Sequence, residues 1–100
     1  MTQRPAAYFR VRGPLERSDL AGLYARVCAL LGEHTGERVV CDAEEVVPDA
    51  VAVEALARLR LGAKHHGCDV ELRTGSYELI KLIAFIGLTD AIRPVLRVEV

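Results

Sequence analysis

Residues 38–59 read RVVCDAEEVVPDAVAVEALARL, and two periodicities meet inside them. Val39, Val40 and Cys41 are three successive apolar positions, too short a run for a helical repeat. That pattern suits a central strand buried on both faces. From Asp49 the apolar residues change step. Ala52, Leu56, Leu59 and Ala63 share one helical face, while Glu54, Arg58 and Lys64 fall largely elsewhere. Between the two runs lies a loop over residues 43–48, and Asp49 is the residue type that caps a helix start. A buried strand feeding a capped helix is the repeating unit of a parallel α/β sheet.

Working outward, the same alternation recurs. The second helix runs to about His66, and Gly67 supplies its stop. Asp69-Val70-Glu71-Leu72-Arg73 alternates and reads as a strand. Gly75-Ser76 precedes a third helix with Glu78 in its first turn, Leu79, Leu82, Ile83 and Ile86 inward, and Gly87 at its end. Thr89-Asp90 opens a short turn, and residues 95–100, VLRVEV, read as the last strand. Upstream, Tyr8-Phe9-Arg10-Val11-Arg12 forms a strand closed by Gly13-Pro14. Ser18-Asp19 opens a first helix whose stripe is Leu20, Leu23, Tyr24, Val27, Leu30 and Leu31. The expected fold is therefore a single α/β domain over residues 8–100, preceded by a loose stretch at 1–7. It has a small, mostly parallel sheet of about four strands, three to four helices and right-handed crossovers.

Composition agrees with one such domain. The chain has 100 residues, 51% of them apolar, and a formal net charge of −1. A chain of this size buries roughly 60–65% of its unfolded surface, enough for one modest core. Lys and Arg are scattered along the sequence, so no basic stripe marks a nucleic-acid site and no polybasic arm marks a membrane surface. No apolar run approaches the roughly 20 residues of a spanning helix, so no membrane insertion is expected. MTQRPAAYFR lacks the apolar centre of a signal peptide, and the expected location is the cytoplasm.

Chemistry-bearing motifs are sparse. Cys28, Cys41 and Cys68 contain no close pair of the metal-site kind and read as small buried residues in a reducing compartment. Cys41 with His34, His65 or His66 is the only nucleophile pairing to weigh, but a mid-strand apolar setting disfavours a thiolate. His65 and His66 are adjacent on a helix and point about 100° apart, so they do not converge on a metal. The strand-to-helix junctions GPLERSDL and AEEVVPDA lack the glycine spacing of phosphate-cradling loops. Asp42, Glu44, Glu45 and Asp49 cluster in sequence, as an N-cap with solvated loop charges or as a cation or acid–base site. No enzyme activity, cofactor or metal is expected.

These pieces, in this order, resemble a STAS domain, the module of sulphate transporters and anti-sigma-factor antagonists. FRVRGPLERSDLAGLYARVCALL is similar to the opening strand, glycine and first helix of the family. RVVCDAEEVVPDAVAVEALARLRLGAKHHGCDVELR is similar to its centre, and LIAFIGLTDAI to its closing helix. In the antagonist branch the central helix begins Asp-Ser-Ser/Thr-Gly. A partner anti-sigma factor with kinase activity phosphorylates the first serine. The resemblance puts Asp49 on the Asp, Ala50 on the phosphorylated Ser and Ala52 on the Gly; a register slip would put Val51 there instead. No Ser, Thr or Tyr occurs from Gly36 to Arg73.

The resemblance thus implies a non-catalytic regulatory domain that binds an anti-sigma-factor-like partner through Asp49, Ala50, Val51 and Ala52, without a phosphorylation switch there. It equally implies an alternative: a structural or assembly subunit of a lipid-transport ABC complex or a stressosome-like scaffold. In that case the terminal strand could pair edge to edge in a homodimer.

Overall fold

The computed structural model describes residues 4–12, 14–44 and 46–97. Its elements alternate in chain order. They are β1 (Ala7–Arg10), a 3-10 turn (Arg17–Asp19), α1 (Leu20–Glu33), β2 (Arg38–Asp42), α2 (Ala50–His66), β3 (Asp69–Thr74), α3 (Tyr77–Phe85) and β4 (Ile92–Leu96). The four strands form one sheet in the order β1-β2-β3-β4, every pair parallel, as the sequence predicts for its fold class.

Strand order and parallel pairing together decide where the helices go. Right-handed crossovers that always step the same way place all helices on one face of the sheet. The core bears this out. Val39, Cys41, Val70, Leu72 and Ile92 from alternate strand positions pack with Val27, Leu31, Leu56, Leu59, Leu79 and Ile83 from the helices. The intervening strand positions point to a face that carries no helix among the described residues. α1 and α2 approach closely at Gly62, where an added Cβ would stand 3.4 Å from Cys28 Sγ and from Leu31 Cδ1, just at van der Waals contact. Arg60 and Lys64 of α2 both reach Asp90 after α3, with Arg60 Nε 2.6 Å from Asp90 Oδ1, and so tie the helical layer together.

Helix ends follow their sequence signals. Gly67 closes α2 at φ 66°, and the Cys68 N–H donates to the Ala63 carbonyl at 2.9 Å, a left-handed stop that a glycine adopts without strain. Ser76 caps α3 by accepting the Leu79 N–H at 3.1 Å.

Two expectations are corrected. The first strand covers Ala7–Arg10, not 8–12, and pairing begins earlier still, where the Ala6 N–H donates to the Arg38 carbonyl at 2.8 Å. The last strand is Ile92–Leu96, not 95–100; residues 98–100 lie outside the described residues. Ile92 is the reason: it is fully buried and pairs with Val70, which pulls the strand three residues upstream of VLRVEV. Pro94 does not break this strand. The Arg97 N–H donates to the Thr74 carbonyl, and the period of two puts the donors of odd residues toward β3. Pro94 therefore lies where a donor would face the outer edge, and its missing N–H blunts that edge. β2 is buried on both faces, as its apolar run predicts, and side chains cover the face that the helices leave open.

Candidate functional site

The helix-free face of the sheet is a lattice of charges. Tyr8 and Arg10 come from β1, Arg38, Val40 and Asp42 from β2, Asp69, Glu71 and Arg73 from β3, Arg93 and Val95 from β4. Two carboxylates form its floor. Asp42 is 1% exposed and accepts the Tyr8 hydroxyl at 2.6 Å and the Glu44 N–H at 3.1 Å, with Arg10 at 3.5 Å and Arg97 at 3.8 Å. Burial alone would push this carboxyl up. The Tyr8 hydroxyl, the Glu44 N–H and the two guanidiniums outweigh it and hold it below the ordinary value. Glu71 is also held low, chiefly by its hydrogen bond from Arg73 at 2.6 Å and, against the opposing effect of burial, by Arg38. Cations that are scattered in sequence are thus gathered by the fold, but they are spent on buried acids.

The acidic cluster of the central junction is taken apart by the same geometry. Asp42 faces the open side. Glu44 is 3.7 Å from Arg97, and Asp49 caps α2. Glu45 lies outside the described residues. Among the described residues no group of His, Cys, Asp and Glu is placed to hold a metal. Cys41 is buried in the core, where burial and the Asp42 charge push its thiol up, a poor setting for a nucleophile.

The junction itself is built as the sequence predicts. Asp49 adopts an extended conformation and its Oδ1 accepts the Ala52 N–H at 2.9 Å. Ala50 is exposed, Val51 half-buried and Ala52 buried in the core. Just upstream, Val46 turns inward while Val47 is 56% exposed. Because all strands are parallel, the start of α3 opens on the same end of the sheet as the start of α2, and there Tyr77 is 63% exposed. The hydroxyls just before α3, at the same end of the sheet, are not free alternatives to a missing serine. Thr74 is fully buried and accepts the Ser76 N–H, and Ser76 is occupied as the α3 cap.

Asp49→Ala is expected to cost about 1 kcal/mol, the typical value of an N-cap. Urea unfolding checks this, and Asp49→Ser should recover most of the loss because it restores the acceptor.

Sequence reasoning placed Asp49, Ala50, Val51 and Ala52 correctly on one helix start, but missed the association of Tyr8, Arg10 and Arg97 with Asp42. A signal was present. Charged or hydroxyl residues recur two apart in β1, at Tyr8 and Arg10, and in β3, at Asp69, Glu71 and Arg73, which is the mark of one polar sheet face. No protein-family model matches the chain, and no curated protein matches it.

Proposed function

We propose that the chain is a non-catalytic regulatory domain that docks on a protein partner through the start of α2 and the loop before it. The observation that carries this reading is the junction at 46–52. It offers a well-formed, capped helix start with exposed Ala50 and Val47 and no hydroxyl to phosphorylate. The STAS resemblance supplies the class of partner, an anti-sigma factor of the kinase type. Because Ala50 cannot accept a phosphate, a change of charge at this position cannot release the partner, so binding is constitutive. A cytoplasmic location goes with this reading; among the described residues no helix is long and apolar enough to cross a membrane.

The second reading is an assembly subunit of a transport complex or scaffold. It is favoured by the apolar surface of α3, where Phe85 is 89% exposed and Tyr77 63%. Edge pairing through β4 is the weaker form of it, since Pro94 blunts that edge.

Ala50→Glu separates these possibilities from a mere fold effect. A carboxylate in the first turn of a helix suits the dipole, so the variant is expected to fold at least as stably as the parent. An unpaired charge in a desolvated contact costs about 2 kcal/mol or more, so capture of the partner should weaken by more than tenfold. The measurement is affinity purification from the native host with both forms, followed by mass spectrometry. A kinase-like anti-sigma factor recovered with the parent and lost with Ala50→Glu supports the regulatory reading. A transporter component or scaffold protein moves the chain to the second reading. Partners retained unchanged by Ala50→Glu overturn the docking site.

A further inference from the structure

Ion pairing is the rule in this chain, and its exceptions converge. Eight of the eleven described arginines pair with a described carboxylate. The three that do not are Arg4, Arg12 and Arg26, and the last two line the same concavity. It is a basin of about 480 Å³ beside the end of β1, walled also by Arg10, Ser18 and Asp19. Its size falls within the range of small-molecule sites, roughly 300–1,000 Å³.

The placement of Arg26 sharpens the point. Its Nη1 lies 3.5 Å from where a Cβ on Gly22 would stand, so the side chain folds back along α1 to the first turn. That end of a helix carries partial positive charge, where a cation is disfavoured. Arg12 and Arg10 add two more guanidiniums to the same lining. The acid in the basin is Asp19, whose Oδ2 already accepts the Glu16 N–H at 3.1 Å. Arg10 is shared with Asp42. Asp19 and Asp42 offset part of this charge, and the basin keeps an excess of positive charge from Arg12 and Arg26. Val11, Leu15 and Leu23 supply an apolar part of its lining and also line the crevice under α1.

We infer that this basin binds an oxyanion of the phosphate type, carried by a molecule with an apolar flank. Guanidinium forks match phosphate oxygens in pairs, and Ser18 is placed in the lining to donate a further hydrogen bond. The apolar flank of the ligand would rest on Val11, Leu15 and Leu23. The inference is independent of the α2 docking site, which lies on a different helix.

Amide chemical-shift titrations with inorganic phosphate and with phenyl phosphate test it. The expected result is saturable shifts confined to residues 10–26, with phenyl phosphate the tighter of the two. Removing both exposed guanidiniums in Arg12→Gln/Arg26→Gln should weaken binding by about tenfold per arginine. Arg4→Gln removes an unpaired arginine outside the basin and should change nothing. A sedimentation arm with anionic phospholipid vesicles identifies the source of the phosphate. Vesicle binding that the double variant abolishes makes it a lipid headgroup, whereas titration shifts without vesicle binding make it a soluble phosphate ester. Shifts that never saturate, that centre elsewhere, or that survive the double variant overturn the site, as does vesicle binding unchanged by that variant.

Discussion

Replacing Leu72 by alanine is expected to remove about 4 kcal/mol of unfolding free energy, in the upper half of the range for buried leucine truncations. The position explains the size. Leu72 is fully buried on an interior strand, bonded on both sides to β2 and β4. It also borders a cavity of about 30 Å³ shared with Cys41, Leu56 and Leu59. The sheet holds the backbone in place, so the site cannot collapse, and the new void adds to the existing one at about 24 cal/mol per Å³. Total stability of a domain this size is about 5–15 kcal/mol, so the loss is a large share of it. In urea, with a slope of about 1–3 kcal/mol per molar, the midpoint should fall by roughly 1.3–4 M while the slope stays constant. Leu61→Ala is the control: Leu61 is 57% exposed, and its truncation should change stability by no more than about 0.5 kcal/mol. Equal effects at the two positions would mean that the helical layer does not close over this strand.

What could be read in advance follows from the length of each signal. The 3.6-residue repeats of α1 and α2 extend over several turns, and both helices lie where their stripes place them. Strands are short, and a few residues of alternation do not fix their ends. β4 shows the difficulty: the most strand-like run in sequence, VLRVEV, is not the one that buries its side chains, because the fit of Ile92 against Val70 decides the pairing. Topology was legible in class but not in consequence. Sequential parallel order leaves one sheet face without helices, and only then do Arg10, Arg38, Arg73, Arg93 and Arg97, far apart in sequence, become neighbours. The junction residues at 49–52 were legible because capping is local. The acidic cluster was misleading for the same reason that strands alternate: Asp42 and Ala43 are adjacent in sequence yet point to opposite faces. The arginine basin had no sequence signal, since Arg12 follows β1 and Arg26 lies on α1, and packing alone brings them to one lining.

The charged face leads to the second large effect. Asp42→Ala is expected to cost about 2–3 kcal/mol, which for a domain of this size lowers the melting temperature by about 10–20 °C. The substitution affects four groups at once. The Tyr8 hydroxyl and the Glu44 N–H lose their acceptor, and Arg10 and Arg97 each lose one carboxylate partner, Arg97 keeping Glu44 at 3.7 Å. A fully buried ion pair broken on one side would cost more, about 3–5 kcal/mol. Here Arg10 and Arg97 are about half exposed, so water takes over part of their solvation. Asp42→Asn keeps an acceptor of the same shape and should cost clearly less, which separates hydrogen bonding from charge. Acid titration supplies the second readout. The folded Asp42 carboxyl is held below its unfolded value of about 3.9, so on acidification the unfolded chain takes up the proton first. Its stabilisation is therefore complete above about pH 5 and drains away as pH falls through the unfolded and then the folded value. Glu71, held low chiefly by Arg73, contributes in the same direction. Asp42→Asn should flatten the acid limb of the stability curve and leave the neutral plateau sloping as before. An acid limb identical in parent and variant would show that Asp42 is not the buried anion on which this face is built, and that Glu71 alone carries the lattice.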